Sequence, residues 1–534
     1  MRTLAVMNAV ALTEYAFMPF AAGASAFERS LAVLRGLAAD EDILVLAGEG
    51  SAEAARAYLP PGIRLEVAGT SATMKAVLQA VAAFASTRGG AELAVYAHGD
   101  APFLDSELAG RLIALHRQYR AEYTYADGYP AGFAPEILST RVLPNLAELA
   151  GRHDAPAERD GLFAVIQKDI NSYDIETELS PLDLRSYRLA PVCDTRRNFL
   201  SAEKLYAEGC RSAEDAVRIV PERPGLLRTV PAFLWVQVAE GCPQACSYCP
   251  YPRMVGDPRG KPGFMPPERF EALMAQAEEL CDDLVVDLSL WGEPALHPDF
   301  KALAESVLKR PRFSLIVETS GLGWRPGVAA AVAALGGARV HWIVSLDDAD
   351  EEGYRALRGE GRAEAEAFTR SLAALAPGQV HAQAVRMRAN EERLESFYRG
   401  WKKDIEKVII QKYDAFSGVL PDLSVADLSP LERFPCRHLA RDMAVLLDGS
   451  VPACKHSLST AAAAPASAAS ASAAPANAAP ASAAPAYAEI VGDAFAPGGL
   501  RAAWEAMDAW YGKHAQGAYP ECCERCDEYH TFNA

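Results

Sequence analysis

Phe233-Leu234-Trp235-Val236-Gln237-Val238-Ala239-Glu240-Gly241-Cys242-Pro243-Gln244-Ala245-Cys246-Ser247-Tyr248-Cys249-Pro250 joins a strand-length apolar run to three cysteines spaced C-x-x-x-C-x-x-C. A β-strand over Phe233–Ala239 puts the three thiols at its carboxyl end. A structural zinc ion takes four protein ligands, and no further Cys or His lies near enough in sequence to complete the set. Three thiolates can instead hold three irons of a 4Fe-4S cluster and leave the fourth iron open to a small chelating molecule. Cysteinyl clusters reach potentials low enough to give one electron to a sulfonium. The plainer reading is three structural cysteines in a loop, and the flanking sequence has to decide between them.

Working outward, one unit repeats from about Val230 to Ser417. Strands are expected at Phe233–Ala239, Leu284–Leu290, Phe313–Val317, Val340–Val344, Val380–Arg386 and Val408–Gln411. Helices fit between them at Glu268–Leu280, Phe300–Lys309, Val328–Ala334, Ala363–Ala374 and Leu394–Trp401. Such alternation implies right-handed βα crossovers and a parallel sheet, an α/β fold that is either an open sheet or a partial (β/α)6 TIM barrel. Chemistry then belongs at the carboxyl ends of the strands. Each strand does end in polar residues: Trp291-Gly292-Glu293-Pro294, Glu318-Thr319-Ser320-Gly321 and Ser345-Leu346-Asp347, then Gln383 and Arg386, then Gln411 and Lys412.

Together these motifs resemble the radical SAM superfamily, whose defining C-x-x-x-C-x-x-C stands here as Cys242, Cys246 and Cys249. The resemblance implies a 4Fe-4S cluster on those three cysteines, with S-adenosylmethionine on the open iron. It implies that Tyr248 packs near the adenine. It also implies that Gly292, Glu293 and Pro294, like the family's G-G-E-P, hold the methionine amino group. Thr319 matches a T-N-G turn, and Ser345 and Asp347 match an S-x-D near the ribose and carboxylate. Trp291 replaces the usual first Gly. Two plainer readings stay open: Asp347, Asp348 and Asp350 as acids favoured at a helix start, and Arg355 with Arg358 as a solvated helix face.

The region from about Val425 onward is irregular and cysteine-rich. Cys436, then Asp448-Gly449-Ser450-Val451-Pro452-Ala453-Cys454, then Cys522-Cys523-Glu524-Arg525-Cys526 resemble the SPASM/twitch extension of radical SAM enzymes. That implies one auxiliary 4Fe-4S cluster on Cys436, Cys454, Cys523 and Cys526, with Cys522 unassigned. A four-thiolate zinc site is the rival reading. An uncharged Ala/Ser/Pro tract at 459–485 reads as a disordered insertion whose flanks still belong to one fold. Cys193, Cys210 and Cys281 read as small core residues.

Residues 1–225 show a second βα rhythm, with strands at Ile43–Leu46 and Leu93–Ala97 and helices at Phe27–Leu37, Ala72–Ala85 and Glu107–Tyr119. A mainly parallel Rossmann-like sheet follows. His98-Gly99-Asp100-Ala101-Pro102-Phe103-Leu104-Asp105, Tyr129-Pro130-Ala131-Gly132-Phe133 and Val192-Cys193-Asp194-Thr195 resemble GT-A-fold sugar nucleotidyltransferases, especially spore-coat-type cytidylyltransferases. There the first Asp of the G-D motif binds a divalent metal and a second can sit at V-D-T, which would be Asp100 and Asp194 here. Capped turns are the alternative for both acids. The family's Gly-rich phosphate loop is replaced by Asn8-Ala9-Val10-Ala11-Leu12-Thr13-Glu14, which lacks Gly and base. The expectation is a retained fold without nucleotidyl transfer.

The expected organisation is therefore residues 1–225 nucleotidyltransferase-like, 230–424 radical SAM barrel and 425–534 auxiliary-cluster domain, with Pro221–Gly225 as a linker. This arrangement resembles spiro-SPASM proteins. A net charge of −18 argues against a nucleic-acid backbone as main partner. No run of eighteen strongly apolar residues predicts a membrane span. Met1–Met7 with Ala22–Ala26 shares features of an export signal, but Glu14 interrupts it and a first buried strand is the reading adopted. Clustered cysteines in an acidic chain point to the cytoplasm. The implied activity is reductive cleavage of S-adenosylmethionine and hydrogen abstraction from a peptide, protein or sugar-linked substrate, fed by a donor such as flavodoxin or ferredoxin. The alternatives are a working cytidylyltransferase-like enzyme with an iron–sulfur partner domain, or a non-catalytic metal-binding scaffold.

Overall fold

The computed structural model describes residues 2–20, 23–69, 73–260, 262–427, 433–458 and 487–526. They form two compact units, Met1–Thr229 and Val230–Ala534.

In the first unit the strands are β1 (Arg2–Ala9), β2 (Pro19–Phe20), β3 (Ala24–Ser25), β4 (Ile43–Gly48), β5 (Arg64–Ala68), β6 (Ala91–His98), β7 (Tyr123–Asp127), β8 (Glu136–Ser139) and β9 (Ile175–Leu179). Seven of them make one sheet in the order β5-β4-β1-β6-β8-β7-β9. Only β8 runs antiparallel to its neighbours. The first apolar run is thus a central strand. Its alternate residues feed opposite cores, Leu4 and Val6 on one face and Ala5, Met7 and Ala9 on the other. Both faces are covered by helices, which is why β1 and β4 read as continuous apolar runs. Ser25 and Glu28 close a capping box at the start of the helix Ala26–Leu37.

In the second unit β10 (Phe233–Val236), β11 (Val285–Asp287), β12 (Ser314–Thr319), β13 (Val340–Ser345), β14 (Val380–Arg386) and β15 (Lys407–Lys412) lie side by side in sequence order. Every pairing is parallel. All six expected strands are present, and the sequential order sets their carboxyl ends along one rim. The expected helices occur at Pro267–Leu280, Phe300–Leu308, Val328–Gly336, Arg362–Leu375 and Leu394–Trp401. A further helix, Glu351–Arg358, was not expected.

The structure draws one boundary, not two. The Pro221–Gly225 segment is not a linker, because the helix Ala213–Glu222 runs through Pro221 and Pro224 is buried. Nor does the cysteine-rich region stand apart. Its strand β16 (Asp442–Val445) pairs parallel with β10 and extends the barrel sheet to seven strands. The continuous apolar run Met443-Ala444-Val445-Leu446-Leu447 carries no period-2 alternation, so tertiary pairing decided it. β17 (Ser450–Pro452) and β18 (Ile490–Asp493) then pair antiparallel across the Ala/Ser/Pro tract. The tract itself lies outside the described residues, as does the chain's last stretch, 527–534.

His116 gives the first unit a pH dependence. It is 4% exposed, with its ring nitrogens 2.9 Å from Thr124 Oγ1 and 3.2 Å from Ser139 Oγ. Burial, aided by Arg117 and Arg141, lowers its pKa from 6.5 to about 4. The fold therefore favours the neutral ring, and the stability this provides is complete above pH 6.5 and lost as pH falls toward 4. His116→Gln is predicted to shrink the stability difference between roughly pH 7 and pH 5 by at most about 2 kcal/mol, read by urea denaturation at both values.

Candidate functional site

The cysteine loop follows β10 directly and is pinned by its own backbone. Cys242 N–H donates to Pro258 O (2.7 Å), Ser247 N–H to Leu357 O (2.9 Å) and Cys249 N–H to Cys246 O (3.1 Å). Gly241 N–H donates to the Tyr251 hydroxyl (3.0 Å). The loop and the strand ends enclose a cavity of about 250 Å³. Cys242, Cys246, Tyr248, Cys249, Gly292, Glu293, Thr319 and Ser345 line it together. Pro294 and Asp347 do not. Pro294 starts a short 3-10 turn, and Asp347 is sealed behind Tyr248.

Gly292 is where the backbone needs glycine. Its φ is +83°, and a Cβ there would lie 2.3 Å from Ala239 O and 3.0 Å from Gly241 O. This close approach lets Glu293 N–H donate to Gly241 O (2.8 Å), tying the end of β11 to the cysteine loop. The Glu293 carboxylate accepts from Thr319 Oγ1 (2.6 Å) and Ala295 N (3.1 Å) on one oxygen. On the other it accepts from Ser320 N (2.8 Å) and Ser320 Oγ (2.7 Å). Burial pushes its pKa up against those bonds. Its lone-pair sites are filled, so a ligand ammonium gains Glu293 by displacing a hydroxyl.

Behind the loop sits a buried charge pair. Arg358 is 5% and Asp347 0% exposed, and Arg358 Nη1 lies 2.6 Å from Asp347 Oδ2. The guanidinium also donates to Gln244 Oε1 at 2.8 and 3.1 Å, and to the Tyr248 hydroxyl. Tyr248 in turn donates to Asp347 Oδ2 at 2.5 Å. Asp347 Oδ1 accepts from Val385 N (2.8 Å). The solvated-face reading of Arg358 is thus wrong, while Arg355 does pair with exposed acids. The missed signal was Arg358 lying four residues after Tyr354, on the buried face of the unexpected helix. Of the neighbouring acids, Asp350 caps that helix and Asp348 pairs with Arg393 at 2.7 Å.

The far side of the cavity is polar and partly supplied by the C-terminal segment. Glu318, Gln383, Gln411, Lys412, Asp414, Lys455 and His456 line it. Burial raises the Asp287 carboxyl, with Glu318 adding to the shift and Lys455 opposing it. His456 Nδ1 lies 2.5 Å from Asp414 Oδ2. Lys455 and His456 carried no motif, and nothing in the sequence marked them except adjacency to Cys454.

Cys436, Cys454, Cys523 and Cys526 line a second, smaller cavity together with Cys522. Cys193, Cys210, Cys281 and Cys436 are buried. Among the described residues no three or more His, Cys, Asp or Glu side chains converge on a single ion position.

In the first unit the three motif segments also meet. Asp105 N–H donates to Phe133 O (2.8 Å) and Cys193 N–H to Asp100 O (2.8 Å). Asp105 caps the helix Ser106–Tyr119. Asp100 Oδ2, however, is held by Arg159 Nη2 at 2.5 Å. Burial works against the Arg159 charge, and Asp100, Asp194 and Asp160 outweigh it. A guanidinium thus sits beside the two acids expected to hold a metal.

The radical SAM superfamily model matches residues 236–382, and a MobA-like NTP transferase domain model matches residues 14–166. The chain is a radical SAM enzyme, and that domain implies S-adenosylmethionine and a 4Fe-4S cluster. An uncharacterized protein of Treponema pallidum (strain Nichols) is 34% identical over 387 residues, covering 70% of this chain and 98% of that protein. The chain belongs to that protein's family. Among solved structures, Streptococcus suis SuiB bound to its precursor peptide SuiA is 12% identical, with a TM-score of 0.37 over 59% of this chain and 72% of that one. A cytidylyltransferase from Leptospira borgpetersenii is 18% identical, with a TM-score of 0.35 over 42% of this chain and 96% of that one. Among the described residues no helix is long and apolar enough to cross a membrane.

Arg358→Leu would leave the buried Asp347 charge unpaired, and is predicted to destabilise the second unit by about 3–5 kcal/mol. Adding Asp347→Asn should recover part of that loss. Equal denaturation midpoints for the single and double variants would show that the pair carries no such energy.

Proposed function

We propose that Cys242, Cys246 and Cys249 hold a 4Fe-4S cluster and that the chain uses it to start radical chemistry on a polar substrate. The carrying observation is the donor set. Three free thiols line one cavity with Tyr248, Gly292, Glu293, Thr319 and Ser345. The set fits a cluster with one iron left to a cosubstrate. When bound, the cluster supplies one electron to S-adenosylmethionine, giving methionine and a 5′-deoxyadenosyl radical that abstracts hydrogen from substrate.

The protein's own work is placement. Burial raises all three thiols, Cys249 to about 12, so iron binding must drive their ionisation. Glu293, with Thr319 and Ser320, offers acceptors for the methionine ammonium. Ser345 lines the cavity wall beyond, and Tyr248 is fixed by Asp347 for stacking on the adenine. Arg358, which lines the same cavity as Cys246, would supply a cation for the methionine carboxylate. Lys455, Glu318 and Gln383 match a polar substrate, and we favour a peptide or protein segment over a sugar-linked molecule. An external donor such as flavodoxin or ferredoxin supplies the electron, and the free thiols suit the cytoplasm.

We further assign Cys436, Cys454, Cys523 and Cys526 to one auxiliary 4Fe-4S cluster of the SPASM/twitch kind. Their shared cavity supports the assignment. Such a group fits electron relay, because all four irons have a thiolate.

Anaerobic reconstitution with dithionite and S-adenosylmethionine is expected to yield 5′-deoxyadenosine. Cys246→Ala should reduce it to background, while Cys523→Ala should retain it. Equal yields from parent and Cys246→Ala would refute the assignment.

We propose that the first unit keeps the nucleotidyltransferase fold without the reaction, since Arg159 takes the place of the metal at Asp100. Labelled CTP with magnesium should show no binding to the full chain. Saturable binding abolished by Asp100→Ala would reinstate the cytidylyltransferase alternative.

A further inference from the structure

His514 is a buried polar side chain of the second unit outside the barrel cavity. It lies in the helix Asp508–Ala515 and is 2% exposed. Neither ring nitrogen has a hydrogen-bond partner among the described residues. Burying an unsatisfied polar group costs about 1–3 kcal/mol, and buried polar side chains in folded proteins nearly always have a partner. The ring is held in place, packed edge-to-face on Tyr519 with centroids 4.8 Å apart. Tyr519 in turn lies under the Arg433 guanidinium, 4.1 Å from its centroid. Arg433 also donates to Cys523 O (2.6 Å). The imidazole and the C-terminal cysteine turn are therefore positioned by the same two side chains.

The ring borders the small cavity that Cys436, Cys454, Cys522, Cys523 and Cys526 also line. The other two imidazoles of that cavity each hold a carboxylate through Nδ1, whereas His514 holds none among the described residues. His438 pairs with Asp442 and His456 with Asp414. Ser417 donates to His456 O and Ser457 to Cys454 O. What remains for His514 to face is the group the thiolates hold.

We propose that His514 donates a ring N–H hydrogen bond to a sulfur of the auxiliary iron–sulfur cluster and thereby raises its reduction potential. The inference rests on the auxiliary-cluster reading. Four thiolates already complete four irons, so the contact left to a nearby imidazole is with sulfur and not with iron. A donor to cluster or cysteinyl sulfur stabilises the more negative, reduced state. His514 is thus a positioning and tuning residue of the electron relay, not a catalytic one.

The test uses the full chain carrying Cys242→Ser, Cys246→Ser and Cys249→Ser, so that the C-terminal group is read alone. Iron and sulfide are measured first. Absence of both would overturn the auxiliary-cluster reading, and this proposal with it, while leaving the barrel site untouched. With the cluster present, protein labelled with 15N-histidine should show weak nitrogen coupling to the reduced group by pulsed electron paramagnetic resonance. His514→Leu should abolish that coupling and move the midpoint potential to a more negative value at unchanged iron and sulfide content. His514→Gln, which keeps an N–H donor, should restore the potential toward the parent value. If the Leu variant loses the cluster, the Gln variant decides. A Gln variant that holds the cluster near the parent potential supports the proposal, and one that also loses it overturns it. An unchanged potential in His514→Leu, or a coupling strong enough for nitrogen bound directly to iron, would overturn it as well.

Discussion

A guanidinium sealed between a carboxylate and an amide is what the second unit's chemistry depends on. Arg358 joins Asp347, at the end of β13, to Gln244 inside the cysteine loop. Without Arg358, Asp347 would be a buried charge with no counterion, and outside the loop Gln244 would keep only its bonds to Tyr354 and Glu360 O. With it, the loop's geometry is set by a strand of the rigid sheet. The positive φ of Asp347, +61°, is part of the same arrangement, because it turns the chain so that Oδ1 meets Val385 N. Such strain persists where surrounding bonds over-determine it.

The second dependence is on the chain beyond β15. β16 inserts beside β10, and the short segment Cys454-Lys455-His456 then divides its side chains between two cavities. Cys454 faces the smaller one, and Lys455 faces the larger. His456 borders both. The two cavities are therefore lined in part by consecutive residues.

Much of this was legible because the informative signals were local. The strands of the barrel announced themselves as short apolar runs, and each polar strand end followed at once in sequence. The three-cysteine spacing is likewise a local pattern. What escaped was set by tertiary pairing. β16 carries no alternation of its own. Arg358 looked like a solvated cation because its partners lie off its own helix, Gln244 in the cysteine loop and Asp347 beyond the end of β13. Arg159 escaped for the same reason, since only the fold brings it to Asp100. Lys455 and His456 had no motif at all. Charged residues that end up buried are the ones that composition and periodicity describe worst, because their burial depends on a partner that periodicity does not see.

Three thiols shared among four irons would leave one iron of the barrel cluster vacant. Mössbauer spectroscopy of 57Fe-enriched, oxygen-free protein tests it most directly, with and without S-adenosylmethionine. One iron in the barrel cluster is expected to change its spectrum when the cosubstrate is added, while the irons of an auxiliary cluster stay as they were. A spectrum in which every iron is already saturated by side chains and none responds to the cosubstrate would contradict it.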